Sequence, residues 1–340
     1  MLNMVKELCL LNGVSSGEDA VRDYLMERCR PYAASMKVDA LGNLIVFKRG
    51  EKSTGNKLML TAHMDEVGFI VNDITEDGYL KFAPVGGIDP RVVIGKRVSV
   101  GPGRIPGAIG LKAYHLVSDE EEKRVPDFED LYIDIGAKDR ADAEAVTALG
   151  ALAAFESDAM EFGSSMLKAK ALDDRVGCAV MLKLIEEELP MDCTFVFSVQ
   201  EEVGTRGAFG AAFSVTPEIA LVLEGTTAAD LPGTDAHRRV TALGNGPVLS
   251  FMDSGTIYDR GLFELLRDLA EQHHIPWQSK NYTSGGNDSS AIQRTKEGVR
   301  TAALSAPVRY LHTPSSVACI QDIHQMHTLV KHFIEAIAAS

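Results

Sequence analysis

The sequence predicts an α/β protein: a three-layer sandwich around a mostly parallel sheet, with a small β-barrel-like domain inserted into it. Three observations predict this. After Ala169, strand-like runs alternate with helical patterns. Short strand-like runs separated by Gly- and Pro-rich turns fill about 70–164. Clusters of acid and histidine lie at 63–66 and again after 173, with nothing comparable between. One discontinuous domain, 1–69 with 165–340, interrupted by 70–164, accounts for all three more economically than two domains in series.

The elements follow in order. Residues 2–33 carry helical periodicity, with Val21, Tyr24, Leu25 and Cys29 at three- and four-residue steps after the cap-like Ser15-Ser16-Gly17-Glu18, so two helices open the fold. Lys37-Val38-Asp39 and 43–47 flank Gly42 as a hairpin, and 57–63 is a buried strand ending in polar residues. The insert holds strands at 79–82, 92–100, 108–112 and 131–135 and one helix over 139–149. Beyond it, helices are expected over 175–188, near 259–272 and over 321–338, with strands at 193–199 and 219–223.

Composition bounds the class. The 340 residues carry 34 Lys+Arg against 48 Asp+Glu, a formal charge of −14, with 45% hydrophobic residues. That is a soluble globular balance with enough chain to bury a large core. Basic runs of the kind that hold phosphate are absent, which argues against nucleic acid as a partner. The apolar stretches fall far short of the roughly 20 residues a membrane span needs, and the N-terminal residues lack a basic leader, so a cytoplasmic protein is expected. Five scattered cysteines, at 9, 29, 178, 193 and 319, fit neither a disulfide framework nor a metal knuckle and are expected to be reduced core residues.

Five segments carry chemistry. His63 ends an apolar strand with Asp65 two residues on, which suits a metal ligand oriented from behind by a carboxylate, or a strand-end histidine bonded to backbone. Asp173-Asp174 open a helix, where an aspartate caps the free amides, binds a cation, or the pair divides the two tasks. Glu201-Glu202 follow the hydrophobic run 194–199, and two like charges at a sheet-edge crevice need a cation or a shared proton. One can bind metal while its neighbour takes a proton from water. Glu224 after Leu221-Val222-Leu223 and His312 in Arg309-Tyr310-Leu311-His312 read in isolation as a solvated strand end and a loop histidine. Several strands converging on His, Asp and Glu shift that reading, because clustered carboxylates repel one another without a metal.

These segments resemble the M42 family of metallo-aminopeptidases, relatives of the glutamyl and deblocking aminopeptidases in the co-catalytic dizinc exopeptidase group. The resemblance covers essentially the whole chain. It is carried jointly by Ala62-His63-x-Asp65-x-x-Gly68, Ala171-Leu172-Asp173-Asp174-Arg175-x-Gly177, Gln200-Glu201-Glu202-Val203-Gly204-x-Arg206-Gly207-Ala208 and Arg309-Tyr310-x-His312. It implies that His63 binds one divalent ion and His312 a second, that Asp173 bridges them, and that Glu202 and Glu224 complete the ligand sets. Glu201 is then the general base and Asp65 holds His63. Histidine and carboxylate without cysteine suits Zn, with Co or Mn as alternatives. The implied activity is removal of N-terminal residues from short peptides by a dimetal-activated water. Self-association through the insert, as dimers built into a tetrahedral homododecamer, is implied as well.

The chain departs from the family pattern at three places. Glu224 stands where many relatives have Asp, Gly285-Gly286-Asn287-Asp288 replaces Gly-Gly-Thr-Asp, and Ser315-Ser316 occupy a region that often carries Glu. Asp230 is the alternative to Glu224 as ligand, though it lies in a loop. The competing functions are a dimetal deacylase or carboxypeptidase and an endoglucanase-type polysaccharide hydrolase, the last needing paired carboxylates and no dimetal site.

Overall fold

The computed structural model describes residues 1–55, 57–283 and 285–340. Helices α1 (Leu2–Leu10) and α2 (Asp19–Cys29) precede β1 (Ser35–Val38), β2 (Leu44–Lys48) and β3 (Leu58–His63). Next come β4 (Gly68–Ile74), β5 (Leu80–Val85), β6 (Arg97–Val100), β7 (Ile105–Gly110), β8 (Tyr132–Asp134), helix α3 (Arg140–Glu144) and β9 (Leu152–Phe155). The chain continues through β10 (Met160–Phe162), β11 (Met166–Ala169), α4 (Leu172–Ile185), β12 (Cys193–Ser198), α5 (Arg206–Val215) and β13 (Ile219–Thr227). It closes with β14 (Val248–Leu249), α6 (Arg260–Gln272), β15 (Gln278–Ser279), α7 (Ser289–Ile292), β16 (Arg300–Arg309), β17 (Ser316–Cys319) and α8 (Ile320–Ala339).

The large sheet runs β1-β2-β12-β3-β13-β16-β17-β11-β10, with β14 and β15 branching from β16. Its centre, β12-β3-β13-β16, is parallel, and antiparallel strands flank it on both sides. Alternation along the central strands builds two cores. Leu58, Leu60, Phe195, Phe197, Leu221, Leu223 and Leu304 pack with α1, α2, α4, α6 and α8, whereas the intervening Met59, Val196, Ala220, Val222 and Ala303 meet α5 and α7. Burial on both faces is why these strands appear in the sequence as unbroken apolar runs.

Strands β4-β5-β8-β7-β6-β9 close into a barrel. Its core centres on Phe69, whose ring meets those of Phe82 and Phe155 edge-on at centroid separations of 5.0 and 5.1 Å. Strand β10, by contrast, pairs with β11 in the large sheet.

Several local expectations need correction. The helix expected over 139–149 is only α3: Asp139 caps it by accepting from the Asp142 amide at 2.9 Å, but it ends before the β-branched pair Val146-Thr147 and the turn at Gly150. The strand expected over 92–100 starts at Arg97, because Asp89-Pro90 initiates a 3₁₀ turn. Strand β13 does not stop at Leu223 but runs on to Thr227, which puts Glu224 inside a strand. All five cysteines are buried free thiols. Among the described residues, no helix is long and apolar enough to cross a membrane.

Candidate metal centre

The candidate site lies at the C-terminal ends of the parallel strands, where open α/β sheets place their ligands. His63 is the last residue of β3 and stands beside Ser198 of β12. His63, Ser198 and Glu224 share the strand parity of Met59, Val196 and Val222, so all three side chains leave the sheet on the same side. Beyond β12, Gln200 turns the chain through a positive φ of 58° and delivers Glu201-Glu202 over the sheet edge. Glu201 and Glu202 therefore sit in a turn past the strand rather than on it.

Asp173 arrives from the first turn of α4, where it and Asp174 have non-helical backbone angles. Gly225 makes room for this approach: a Cβ there would lie 3.0 Å from both Cα and Cβ of Asp173. His312 sits on the turn between β16 and β17, at φ 59°, with its Nδ1 2.6 Å from the Gly87 carbonyl. Non-glycine residues in this region cost about 1–3 kcal/mol each, and they occur here at Gln200, His312 and Ala171, each at a turn that carries one of the converging groups.

The geometry is that of one carboxylate between two imidazoles. Asp173 Oδ1 lies 3.3 Å from His63 Nε2, and its Oδ2 lies 3.8 Å from His312 Nε2. On the far sides, Glu224 Oε2 is 3.6 Å from His63 Nε2, and Glu202 Oε2 is 3.2 Å from His312 Nε2. Ligand atoms of His63, Asp173 and Glu202 fall within 4.8 Å of one another, and so do those of His63, Asp174 and Glu224. Asp174 thus does two things, accepting from the Gly177 amide at 3.0 Å as a helix cap while facing the cluster.

Asp65 is more than a partner for the His63 ring, whose Nδ1 lies 3.1 Å from its backbone carbonyl and 3.4 Å from its Oδ1. It accepts from the Ser15 hydroxyl at 2.6 Å and from the amides of Glu201 and Glu202 at 3.0 and 3.1 Å. Asp65 therefore meets the imidazole chiefly through its carbonyl and fixes the Glu201-Glu202 turn through its carboxylate. Asp230, in contrast, is held away from the cluster by both arms of Arg309 at 2.6 Å and by the Leu243 amide at 3.1 Å.

The electrostatics show uncompensated negative charge. Burial, reinforced by Asp288, Glu202 and Asp173, pushes the Glu201 carboxyl well above the ordinary carboxylate range. Burial with Asp174 and Asp173 does the same to Glu224. The two imidazoles move the other way from what burial favours: Glu224, Asp173 and Asp65 hold His63 well above its usual value, and Asp173 and Glu202 raise His312 to about 11. Protons are thus drawn into the cluster in the place of other cations. Glu202 Oε1, Glu224 Oε1 and Asp174 Oδ2 are buried with no hydrogen-bond partner. Orphaned carboxylate oxygens beside imidazole nitrogens are a donor set that fits a divalent cation.

Sequence reasoning missed several supports. Asp288, fully buried, accepts from Ser198 at 2.5 Å and is raised to about 6 by burial; only its place after Gly285-Gly286-Asn287 hinted at it. Lys170 reaches Glu66 at 2.6 Å, while Arg175 donates to the Leu8 carbonyl at 2.6 Å, tying the last turn of α1 to the site. No local signal marks these, since the partners lie 90 to 167 residues apart.

A family model described as M42 glutamyl aminopeptidase matches residues 42–329. The chain belongs to this family. It is accordingly a peptidase hydrolase of the aminopeptidase type. A relative from Acetivibrio thermocellus, provisionally named an aminopeptidase, is 38% identical over 339 residues, 99% of this chain and 98% of that protein. Among solved structures, aminopeptidase APDkam598 from the archaeon Desulfurococcus kamchatkensis superposes with a TM-score of 0.93 at 35% identity, covering 98% of this chain and 94% of that one. The TET1 peptidase of Pyrococcus horikoshii, which can assemble into a tetrahedron or a large octahedral shell, gives 0.87 at 32% identity and 98% coverage of both.

Proposed function

We propose that this M42 member is a metal-dependent aminopeptidase that removes N-terminal residues from short peptides, with Glu201 as general base. The observation that carries the reading is Asp173 lying between His63 and His312, with Glu224 and Glu202 on the outer sides. In this reading His63 and Glu224 would hold one divalent ion and His312 and Glu202 a second, with Asp173 a ligand to both. Bound there, divalent ions would supply Lewis-acid polarisation of a scissile carbonyl and would lower the pKa of a water. Glu201, with its amide fixed by Asp65, takes the proton at its carboxylate and delivers it to the leaving amine. The surplus of carboxylate also suits a protonated substrate α-amine, which makes cleavage start at the N-terminus.

The test is a panel of aminoacyl-anilides and short peptides assayed with Zn, Co and Mn. Free peptides should be cleaved and N-acetylated ones spared. Cleavage of acetylated or C-terminal substrates would support the deacylase or carboxypeptidase reading, and chelator-insensitive hydrolysis of a β-glucan the polysaccharide one. We also propose that residues 70–164 form an assembly module and that the protein builds a tetrahedral homododecamer from dimers, a reading supported by the TET1 peptidase, which can assemble into a tetrahedron. A cytoplasmic setting is consistent with five free thiols.

A further inference from the structure

The cap-like Ser15-Ser16-Gly17-Glu18 does something its sequence does not disclose. Glu18 stands at the N-cap of α2, yet its side chain makes no capping hydrogen bond to that helix. It is buried, at 4% exposure, and makes no ion pair among the described residues. Burying a carboxyl group is costly unless hydrogen bonds compensate it, so the groups it reaches matter. Its Oε1 accepts from the Ser16 amide at 2.8 Å and, across 182 residues of chain, from the Gln200 amide at 3.2 Å.

That long-range bond is one of a series. Strand β12 ends at Ser198, and the amides that follow lose their ladder acceptors and need others. Four successive amides find them on side chains. Val199 donates to Asn43 Oδ1 at 3.0 Å, Gln200 to Glu18, Glu201 to Asp65 Oδ1 at 3.0 Å and Glu202 to Asp65 Oδ2 at 3.1 Å. The acceptors come from three separate turns, before α2, between β1 and β2, and after β3, and all three residues are buried. Ser15 joins two of these turns by donating to Asp65 Oδ2 at 2.6 Å. The carbonyls are held as well: that of Val199 accepts from the Gly207 amide at 3.0 Å, that of Gln200 from Arg206 at 3.2 Å, and that of Glu201 from Gly204 and Thr205, both at 2.9 Å. Inside this frame Gln200 keeps a φ of 58°, a conformation that persists only where its surroundings over-determine it. Glu18 holds the amide of that strained residue, and the next residue is Glu201.

We infer that Glu18 is a positioning residue for Glu201: by fixing the Gln200 amide it sets where the Glu201 carboxylate stands at the candidate centre. The inference rests on Glu201 as general base and deepens that reading. Glu18 acts through one hydrogen bond to backbone, so any acceptor of the same reach suffices, charged or neutral. Displacing a catalytic group by about an ångström costs about 10²-fold, so loss of the acceptor should lower kcat by about tenfold or more.

The experiment uses the assembled, metal-loaded enzyme and an aminoacyl-anilide that the wild type cleaves, with kcat, KM and metal content measured for each variant. Glu18→Ala should keep wild-type metal content and a KM within about twofold, while kcat falls by about tenfold or more. Glu18→Gln, whose amide oxygen can accept from the same two N–H groups, should restore kcat to within about threefold of wild type. In a Glu201→Gln background there is no base left to aim, so adding Glu18→Ala should cost less than about twofold more. If Glu18→Ala does not assemble, Glu18→Leu, which fills more of the space and accepts no hydrogen bond, replaces it in each comparison. Wild-type kcat without the acceptor overturns the inference. So does a Gln variant as impaired as the Ala one, a loss of metal in step with kcat, or a full additive loss on the Glu201→Gln background. Those results leave the base reading standing, whereas near-normal turnover by Glu201→Gln alone overturns the base reading and this inference together.

Discussion

At the scale of single residues, the adjacent glutamates have different surroundings. The Glu202 carboxylate faces His312 at 3.2 Å, whereas Glu201 is buried beside it without a paired imidazole. Glu201→Gln keeps the shape and removes the base, so it should retain metal while kcat falls by about two orders of magnitude or more. Near-normal turnover by that variant would rule out the base assignment. The outer ligand is a second residue-scale question. Glu224 reaches His63, and its extra methylene relative to Asp is accommodated because β13 holds it within the strand, while Asp230 is committed to Arg309. Glu224→Ala should therefore lose one metal equivalent per subunit after equilibration with Zn, and Asp230→Ala should keep both. Elemental analysis of the two variants reads this directly, and loss from the Asp230 variant alone would reverse the choice.

At the scale of elements, the site depends on how closely α4 crosses β13. A methyl group at Gly225 meets the backbone of Asp173 rather than a flexible tip, so the start of α4 must shift. Gly225→Ala should cost about 1–3 kcal/mol of stability, as overpacking does. Because misplacement of a catalytic group by an ångström costs about 10²-fold, kcat should fall by tenfold or more, with metal content below two per subunit. Wild-type metal content and kcat in this variant would show that Asp173 does not need its observed position.

At the scale of the whole molecule, the cluster links metal, protons and stability. His63 and His312 have folded pKa values above the unfolded one, so without metal their contribution is full below about pH 6.5 and is lost as pH rises through the folded values, about 11 for His312. Glu201 and Glu224 are raised carboxylates, and their contribution is likewise lost as pH rises above the ordinary carboxylate range. Asp65 and Asp173, which are depressed, change only in acid. Chelated protein should thus lose roughly 3 °C or more in Tm between pH 6 and 9, and metal-loaded protein should stay nearly flat, because bound cations keep the acids ionised and the imidazoles neutral. A chelated protein whose Tm rises over that range would contradict the charge balance described. Light scattering of the same samples tests assembly: a stable, active monomer at micromolar concentration would refute the homo-oligomer.

Much of this was legible before any coordinates. The apolar runs 57–63, 193–199 and 219–223 marked strands and the density of turns marked the barrel, because strand patterning and turn chemistry are local signals; His63, Asp173, Glu201-Glu202, Glu224 and His312 drew their assignments from the resemblance that their motifs carry jointly. What only the tertiary structure decided was pairing over distance. That Glu224 rather than Asp230 turns toward His63, that Asp65 holds the Glu201-Glu202 turn, that Asp288 lies under Ser198 and that Gly87 supports His312 all follow from which strands are neighbours and where β13 ends. A carboxylate's role depends on the few ångströms around it, and residues from positions 15 to 312 share those ångströms only once the sheet has brought its strand ends together.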